Sequence, residues 1–303
     1  MPNYFRIPLV SPFKFVPATS TPGIHFDDKW FYDQIKSFET KRVYHQKWKK
    51  TETTKLQIES TLEPENLKVY NCDQEIVKEF IWTAVFIDIA YRIWETTYDV
   101  SDLPNGVYHL YQRVAFGSID WKMISEPISI KEDWPNTLGF LYKNSFNKDG
   151  VAWSTGIQML FRCEAGIMDF IPDADQTSYV DQTHNVDLLD GVPFRKFTLY
   201  IGDEKGVAPY ITDILNRIFL QDYILIEGKK YTRNVGAKWE INKIKNYSLV
   251  GANLEIVESG NLDSLEFADL TPIGSGIVVA YNIETAVIAP GSLVPIIDVE
   301  EQS

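Results

Sequence analysis

The chain has 303 residues, which is enough for two domains of ordinary size that each bury a core of their own. Hydrophobic residues make up 45% of it, as in a folded protein, and the formal net charge is −13. This charge argues against a nucleic-acid-binding surface, because phosphate contacts need clustered lysine and arginine. The one dense basic cluster is the short run Lys47-Trp-Lys-Lys50, which we expect to be a solvated strand end or turn.

The sequence predicts a soluble protein that is made inside a cell. Its first residues lack the charged-then-apolar layout of a signal peptide. The longest apolar stretch, Ile81 to Ile93, contains polar residues and is too short to span a bilayer. Cys72 and Cys163 are predicted to lie in different domains. A disulfide between them stays open as an alternative, but two reduced and buried thiols are favoured.

Residues 1–40 predict an extended N-terminal arm. Five prolines among the first 22 residues exclude a long helix and disfavour a central strand. Aromatic residues such as Phe13 and Phe15 nevertheless make the segment too apolar for a free tail. An arm that lies on its own domain or on a neighbouring subunit satisfies both observations. Asp27 and Asp28 indicate a cap for a short helix over residues 29–39.

Residues 41–133 predict a β-sandwich of the immunoglobulin or fibronectin-III type. The strongest signal is the turn Pro104-Asn-Gly106, which is followed by an alternating strand over Val107 to Phe116. About seven strands are predicted in all, as in a sandwich of roughly one hundred residues. The others lie within Arg42 to Ser60, Leu67 to Tyr70, Glu75 to Trp82, Tyr91 to Thr97 and Ile124 to Lys131.

Residues 134–269 predict a second β-sandwich-like domain with one packed α-helix, so the fold class is mainly β with two such domains in series. The helix is predicted over Val207 to Leu220, with Pro209 in its first turn and an apolar stripe along one side. Among the predicted strands are Met159 to Cys163 and Phe194 to Gly202. Residues 270–303 predict an extended C-terminal arm that the second domain or another chain should cover.

Sequence motifs for catalysis and for metal binding are weak throughout, and we expect a protein that is not an enzyme and holds no cofactor or metal. The four histidines have no partner at metal-ligand spacing. The run Asp173-Ala-Asp175-Gln-Thr177 begins like a calcium loop, but Ser178 and His184 stand where glycine and a bidentate acid are needed. An exposed acidic loop is favoured there. The two-glycine turn Gly202 to Gly206 lacks the Walker spacing.

Aromatic residues are dense near the N-terminus, and three explanations for them stay open. They could anchor an interface, form a platform for a sugar, or fill the core of the sandwich. Candidate interface residues from the two arms are Phe13, Phe15, Trp30, Phe31, Tyr32, Ile277, Val279 and Tyr281.

Several phrases resemble structural proteins encoded by phages and prophages of Bacteroidetes, of the crAss-like phage tail and tail-hub type. They are Asp28-Lys-Trp-Phe-Tyr-Asp33, His45-Gln-Lys-Trp48 with Lys55-Leu-Gln-Ile58, Trp134-Pro-Asn-Thr137, Arg162-Cys-Glu-Ala-Gly166, and Tyr231-Thr-Arg233 with Gly236-Ala-Lys-Trp-Glu240. These are packing and turn phrases that carry no catalytic residues.

The resemblance implies a structural virion protein, made in the cytoplasm of a bacterial host and repeated around a ring in the tail or tail-hub region. A homo-oligomer in contact with other virion proteins is then expected, without membrane or nucleic-acid binding. One alternative is a β-sandwich module that binds a carbohydrate or a host surface, with a glycan as partner. A second alternative is a capsid- or portal-ring-associated structural protein.

Overall fold

The computed structural model describes residues 4–18, 44–87, 92–180, 186–202, 206–243 and 249–259. Residues 1–262 form one compact unit, and the second unit, residues 263–303, lies outside the described residues. The chain is mainly β, its sheets form β-sandwich-like domains, and one α-helix occurs in the described part. The predicted fold class is therefore confirmed.

The first domain is a sandwich of two sheets. One sheet has the strand order β1-β4-β8-β7, and the other has the order β2-β10-β9-β11-β3, with β5 on the opposite edge of β9 and β6 beside β5. The strands are β1 (Phe5–Arg6), β2 (Phe15–Pro17), β3 (Gln46–Lys49), β4 (Thr53–Ser60), β5 (Leu67–Tyr70), β6 (Ile76–Phe80), β7 (Thr83–Ile87), β8 (Arg92–Asp99), β9 (Gly106–Phe116), β10 (Ile119–Ser125) and β11 (Ile128–Lys131).

The connectivity of this sandwich is of the immunoglobulin type. Its four-stranded sheet has the A-B-E-D order of such domains, and β5 with β9 occupies the C and F positions of the other sheet. The hydroxyl of Tyr108, at the start of β9, donates a hydrogen bond of 2.8 Å to the carbonyl of Pro104. This contact has the form of the tyrosine corner of such domains. Two residues later, where antibody domains carry a cysteine, Leu110 is fully buried.

Two tyrosines of this core provide a paired test of hydrogen bonding. Tyr108→Phe removes the bond to Pro104 and is expected to lower the free energy of unfolding by about 1 kcal/mol. The hydroxyl of Tyr98 is buried and has no hydrogen-bond partner among the described residues. Tyr98→Phe is therefore expected to leave stability unchanged or raise it, because it removes a polar group that stays unpaired in the apolar interior. Urea unfolding followed by tryptophan fluorescence measures the stability of both variants. Equal losses of stability would contradict the assignment of a hydrogen bond to Tyr108 and none to Tyr98.

The second domain is a sheet that closes on itself. Its order is β14-β13-β12-β15-β16-β18-β17, and β14 also pairs with β18, so six antiparallel strands form a ring that we call the barrel. The strands are β12 (Thr137–Lys143), β13 (Met159–Val180), β14 (Val186–Ile201), β15 (Tyr223–Ile226), β16 (Lys229–Arg233), β17 (Glu240–Lys243) and β18 (Val250–Glu258). Alternate side chains such as Phe140 and Tyr142 point inward and are fully buried.

The helix α1 (Pro209–Ile218) packs against the barrel core. It begins with proline, whose missing N–H costs nothing in a first turn, and Asp213 pairs with Arg217 one turn later at 3.2 Å. Ile211, Leu215 and Ile218 are fully buried in the cluster that fills the barrel. The predicted helix is thus confirmed, two residues shorter at each end.

The described part of the N-terminal arm is built into its own chain. β1 pairs with β4, and β2 pairs with β10. Val10 belongs to the hydrophobic cluster of the barrel, and Phe13 belongs to that of the sandwich. Residues 4–18 therefore contribute to both cores, and removing them would expose apolar surface in each.

A buried ion pair joins the two domains. Arg162 of β13 is 2% exposed, and its Nε lies 2.9 and 2.8 Å from the two carboxylate oxygens of Glu52, which precedes β4. Its other nitrogens donate to the backbone carbonyl and the hydroxyl of Thr137 and to Glu227. A Cβ at Gly139 would come within 2.9 Å of this guanidinium, so a larger residue there would displace the arginine.

Candidate functional site

β13 and β14 form a long hairpin that extends from the barrel. Within the barrel, β13 pairs with β12 as far as Glu164, and β14 pairs with β18 between Lys196 and Ile201. Beyond that, the two strands pair with each other out to Val180 and Val186 and with nothing else in the described part of the chain. At roughly 3.3 Å per residue, this extension is about 30 Å long. We call residues 169–180 and 186–194 the projecting hairpin.

Large apolar side chains are exposed on and beside the projecting hairpin. Five of them are each more than half exposed: Met168, Phe170, Ile171, Tyr179 and Val192. Two strands without a covering layer are marginal in water, and grouped exposed apolar residues mark contact surfaces. The hairpin therefore has the physical character of an element that becomes covered when another surface binds it.

The base of the hairpin is anchored to the barrel. The hydroxyl of Tyr200 donates a hydrogen bond to Asp169, and Lys196 forms an ion pair with Asp173 that lowers the pKa of this carboxyl. The ring of Phe197 lies 5.6 Å from that of Phe170. These contacts fix the direction in which the hairpin leaves the barrel.

The edges of the hairpin are poorly suited to accepting another strand. Pro172 lies within β13, and Pro193 lies within β14. A proline is accommodated inside a strand where the N–H that it lacks would face away from the paired strand. Prolines and charges on an edge oppose strand addition. The faces of the hairpin, which carry its side chains, are thus better suited to contact than its edges.

A groove of about 580 Å³ lies on the outer wall of the barrel beside the base of the hairpin. Its lining includes the register partners Tyr200 of β14 and Asn253 of β18. Lys238, in the loop before β17, and Glu240, the first residue of β17, line it as well. The lining thus combines one aromatic ring with amide, ammonium and carboxylate groups, which is a polar surface rather than an apolar one.

A second group of polar side chains is buried where the N-terminal segment crosses between the domains. Glu126 lies in the break between β10 and β11 and is 2% exposed. One of its oxygens lies 3.9 Å from the ammonium of Lys14, while the other has no hydrogen-bond partner among the described residues. Burial raises the pKa of Glu126 to about 7. Tyr210 of α1 adjoins this site, with the Lys14 ammonium 4.4 Å from its ring centre.

The candidate interface residues proposed from sequence divide into two groups. Phe13 is 1% exposed and packs between Trp48 and Tyr98, and Phe15 in β2 packs against the same cluster. Intramolecular packing therefore accounts for Phe13, which offers no surface to a partner. The other six lie outside the described residues: Trp30, Phe31, Tyr32, Ile277, Val279 and Tyr281.

Two expectations from sequence are wrong. Cys163 is buried, but Cys72 is exposed in the turn between β5 and β6, and both are free thiols. The run Asp173 to Thr177, interpreted as an acidic loop, lies within β13. The projecting hairpin was missed because no other described element covers either of its faces, so its sequence lacks the period-two pattern of a half-buried strand.

Two lysines of the basic cluster form ion pairs, and a histidine on β9 is partly buried. Lys47 pairs with Glu164 at 3.2 Å, and Lys50 pairs with Glu132 at 2.7 Å. Burial lowers the pKa of His109 on β9 to about 4. In the described ranges, no three acidic, histidine or cysteine side chains cluster as a metal site would require. The ten-residue helix α1 is too short to cross a membrane, and the same ranges contain no other α-helix.

Comparison of the chain with protein families, with curated proteins and with solved structures finds no match.

Proposed function

We propose that the chain is a non-enzymatic structural subunit of a phage virion, which assembles with copies of itself and with neighbours in the tail or tail-hub region. The projecting hairpin is the observation that carries this proposal. It extends about 30 Å beyond the barrel and presents exposed apolar side chains on an anchored base. An element of this kind gains stability only when a partner covers it.

The virion setting rests on the resemblance of the packing and turn phrases to phage tail and tail-hub proteins. Residues of two of these phrases form contacts that hold the architecture together. Arg162 of Arg162-Cys-Glu-Ala-Gly166 joins the two domains, and Trp134 of Trp134-Pro-Asn-Thr137 hydrogen-bonds the backbone of the sandwich. Two domains held by a buried ion pair make a rigid building block, which suits a repeated assembly.

Shortening the hairpin tests the proposal. Ile171 and Lys196 are register partners, so replacing residues 172–195 by Asn-Gly closes β13 and β14 with a two-residue turn and leaves the barrel ladder intact. The full-length chain is expected to form a ring or other multimer in light scattering, and the shortened chain is expected to be a folded monomer. Tryptophan fluorescence and thermal unfolding check that the barrel persists.

The matched control for this test replaces exposed apolar residues elsewhere. Ile81 and Phe116 are exposed on the sandwich, and Ile81→Ser/Phe116→Ser is expected to leave the multimer intact. A full-length chain that is monomeric would contradict self-assembly. A shortened chain that still forms the multimer would show that assembly does not depend on the hairpin.

The groove beside Tyr200 favours a second candidate function, namely binding of a carbohydrate or host-surface glycan. An aromatic ring beside amide and carboxylate groups offers stacking and hydrogen bonding to a sugar. Glycan-array binding that is saturable and is lost in Tyr200→Ala and Asn253→Ala would support this candidate. Binding that is equal in wild type and both variants would exclude this groove.

A further inference from the structure

We propose that the acidic projecting hairpin of one copy binds a basic strip on the barrel wall of a second copy. The strip consists of Leu141, Lys143, Tyr223, Leu225 and Lys230, and the name "basic strip" is used for these residues below. This inference rests on the proposed function, because it names the two surfaces through which the subunits would meet.

The basic strip is a continuous surface across β12, β15 and β16. Lys143 and Tyr223 are register partners, as are Leu141 and Leu225, and Leu225 is also the partner of Lys230. All five side chains are half-buried and alternate with buried neighbours such as Tyr142 and Ile224, so they face outward from the barrel. Their arrangement gives two leucines and one tyrosine between two positive charges.

The two lysines of the strip lie over the ring of Tyr223. The ammonium of Lys143 is 4.7 Å from the ring centre, and that of Lys230 is 5.5 Å from it. Neither lysine forms an ion pair within the described part of the chain. The pKa of Asp222 is lowered by a hydrogen bond from Ser145 and, more weakly, by Lys143. The strip thus keeps positive charge available above an aromatic and aliphatic surface.

The projecting hairpin has the opposite charge. Residues 169–194 contain six aspartates and no lysine or arginine. Exposed Ile171, Tyr179 and Val192 supply apolar contacts that match the leucines and the tyrosine of the strip. Opposite potentials steer two surfaces together and set their register, while apolar contact between them supplies affinity.

A second copy of the chain satisfies both surfaces at once. The hairpin belongs to β13 and β14, whereas the strip belongs to β12, β15 and β16, so each copy carries one donor and one acceptor surface on different strands. A contact between unlike surfaces of identical subunits is heterologous, and such contacts close into rings when the rotation permits. The charge pattern therefore predicts either a head-to-tail ring or a two-fold dimer in which each hairpin reaches the basic strip of the other copy.

A charge exchange in the full-length chain tests this inference. Lys143→Glu/Lys230→Glu reverses the strip, Asp175→Lys/Asp181→Lys/Asp187→Lys/Asp190→Lys changes the net charge of residues 169–194 from −6 to +2, and the combined variant restores opposite signs in exchanged positions. Sedimentation velocity measures self-association. Each reversal alone is expected to weaken self-association by roughly tenfold or more, and the combination should recover most of that loss. Wild-type association should also weaken as salt is raised.

The matched control is Lys68→Glu/Lys122→Glu on the sandwich, which changes the net charge by the same amount as the strip reversal. It is expected to leave self-association unchanged. If the strip reversal unfolds the chain, the neutral variant Lys143→Gln/Lys230→Gln replaces it and should weaken association to a smaller degree. Near-ultraviolet circular dichroism reports whether the fold is kept.

The outcomes separate this inference from the proposed function. A wild-type chain that is monomeric overturns self-assembly and the inference together. A wild-type multimer that the strip reversal leaves intact overturns the inference alone. A strip reversal that dissociates the multimer without rescue by the hairpin reversal overturns the hairpin as the element that binds the strip. It favours another acidic segment instead, such as residues 263–303, which hold seven acidic residues and no basic ones.

Discussion

Arg162→Met is expected to lower the free energy of unfolding by about 3–5 kcal/mol, because it leaves the carboxylate of Glu52 facing the domain joint without its cation. The arginine satisfies Glu52, Thr137 and Glu227 at once, so its removal breaks a whole network. Methionine has a similar length and keeps the aliphatic packing of the side chain. Urea unfolding of the full chain measures the loss.

An exposed arginine provides the control for this prediction. Arg113 on β9 also contacts two carboxylates, Asp120 at 2.7 Å and Glu65 at 3.1 Å, but all three side chains are more than a third exposed. Because solvent screens these pairs, Arg113→Met is expected to cost far less than Arg162→Met. The double variant Arg162→Met/Glu52→Gln should recover part of the stability, since no unpaired charge is then buried. Equal losses for Arg162→Met and Arg113→Met would show that the joint does not depend on the ion pair.

Glu126→Gln is expected to stabilise the chain by about 3 kcal/mol at pH 8 and to have little effect at pH 4.5. The folded chain binds the Glu126 proton more tightly than the unfolded chain does, because burial raises the pKa from 4.5 to about 7. Stability from this group is therefore present at low pH and is lost as pH rises from 4.5 to 7. Glutamine stays neutral and escapes that loss.

The stability difference between Glu126→Gln and wild type should be measured across pH 4.5 to 8.5. Other groups cancel in the difference, including His109, whose lowered pKa of about 4 makes stability rise with pH between about 4 and 6.5. Ser129→Ala in β11 is the control, because a neutral substitution cannot change proton binding and its difference should stay flat. A flat profile for Glu126→Gln would mean that Lys14 or water keeps the carboxylate charged at the joint.

Sequence patterns predicted most of the sandwich and the helix because these elements bury one side. The turn before Gly106 and the alternation after it marked β9, and the apolar stripe of α1 marked a helix on a sheet. The predicted strand from Ile124 to Lys131 covers β11 and only the last two residues of β10, so both the start of β10 and the break at Glu126-Pro127 were missed. That break exists because the N-terminal segment crosses there, and Glu126 donates its backbone N–H to Lys14 across the crossing.

The sequence by itself determined the mainly β class, the helix α1 and the acidic charge, because hydrophobic period, turn residues and net charge are local properties of the chain. Only the tertiary structure decided that the second sheet closes into a barrel, that Arg162 meets Glu52 across 110 positions, and that Leu141, Lys143 and Lys230 share one surface. Those relations come from strand pairing between distant segments. A single strand pattern specifies which side is apolar but not which partner lies beside it.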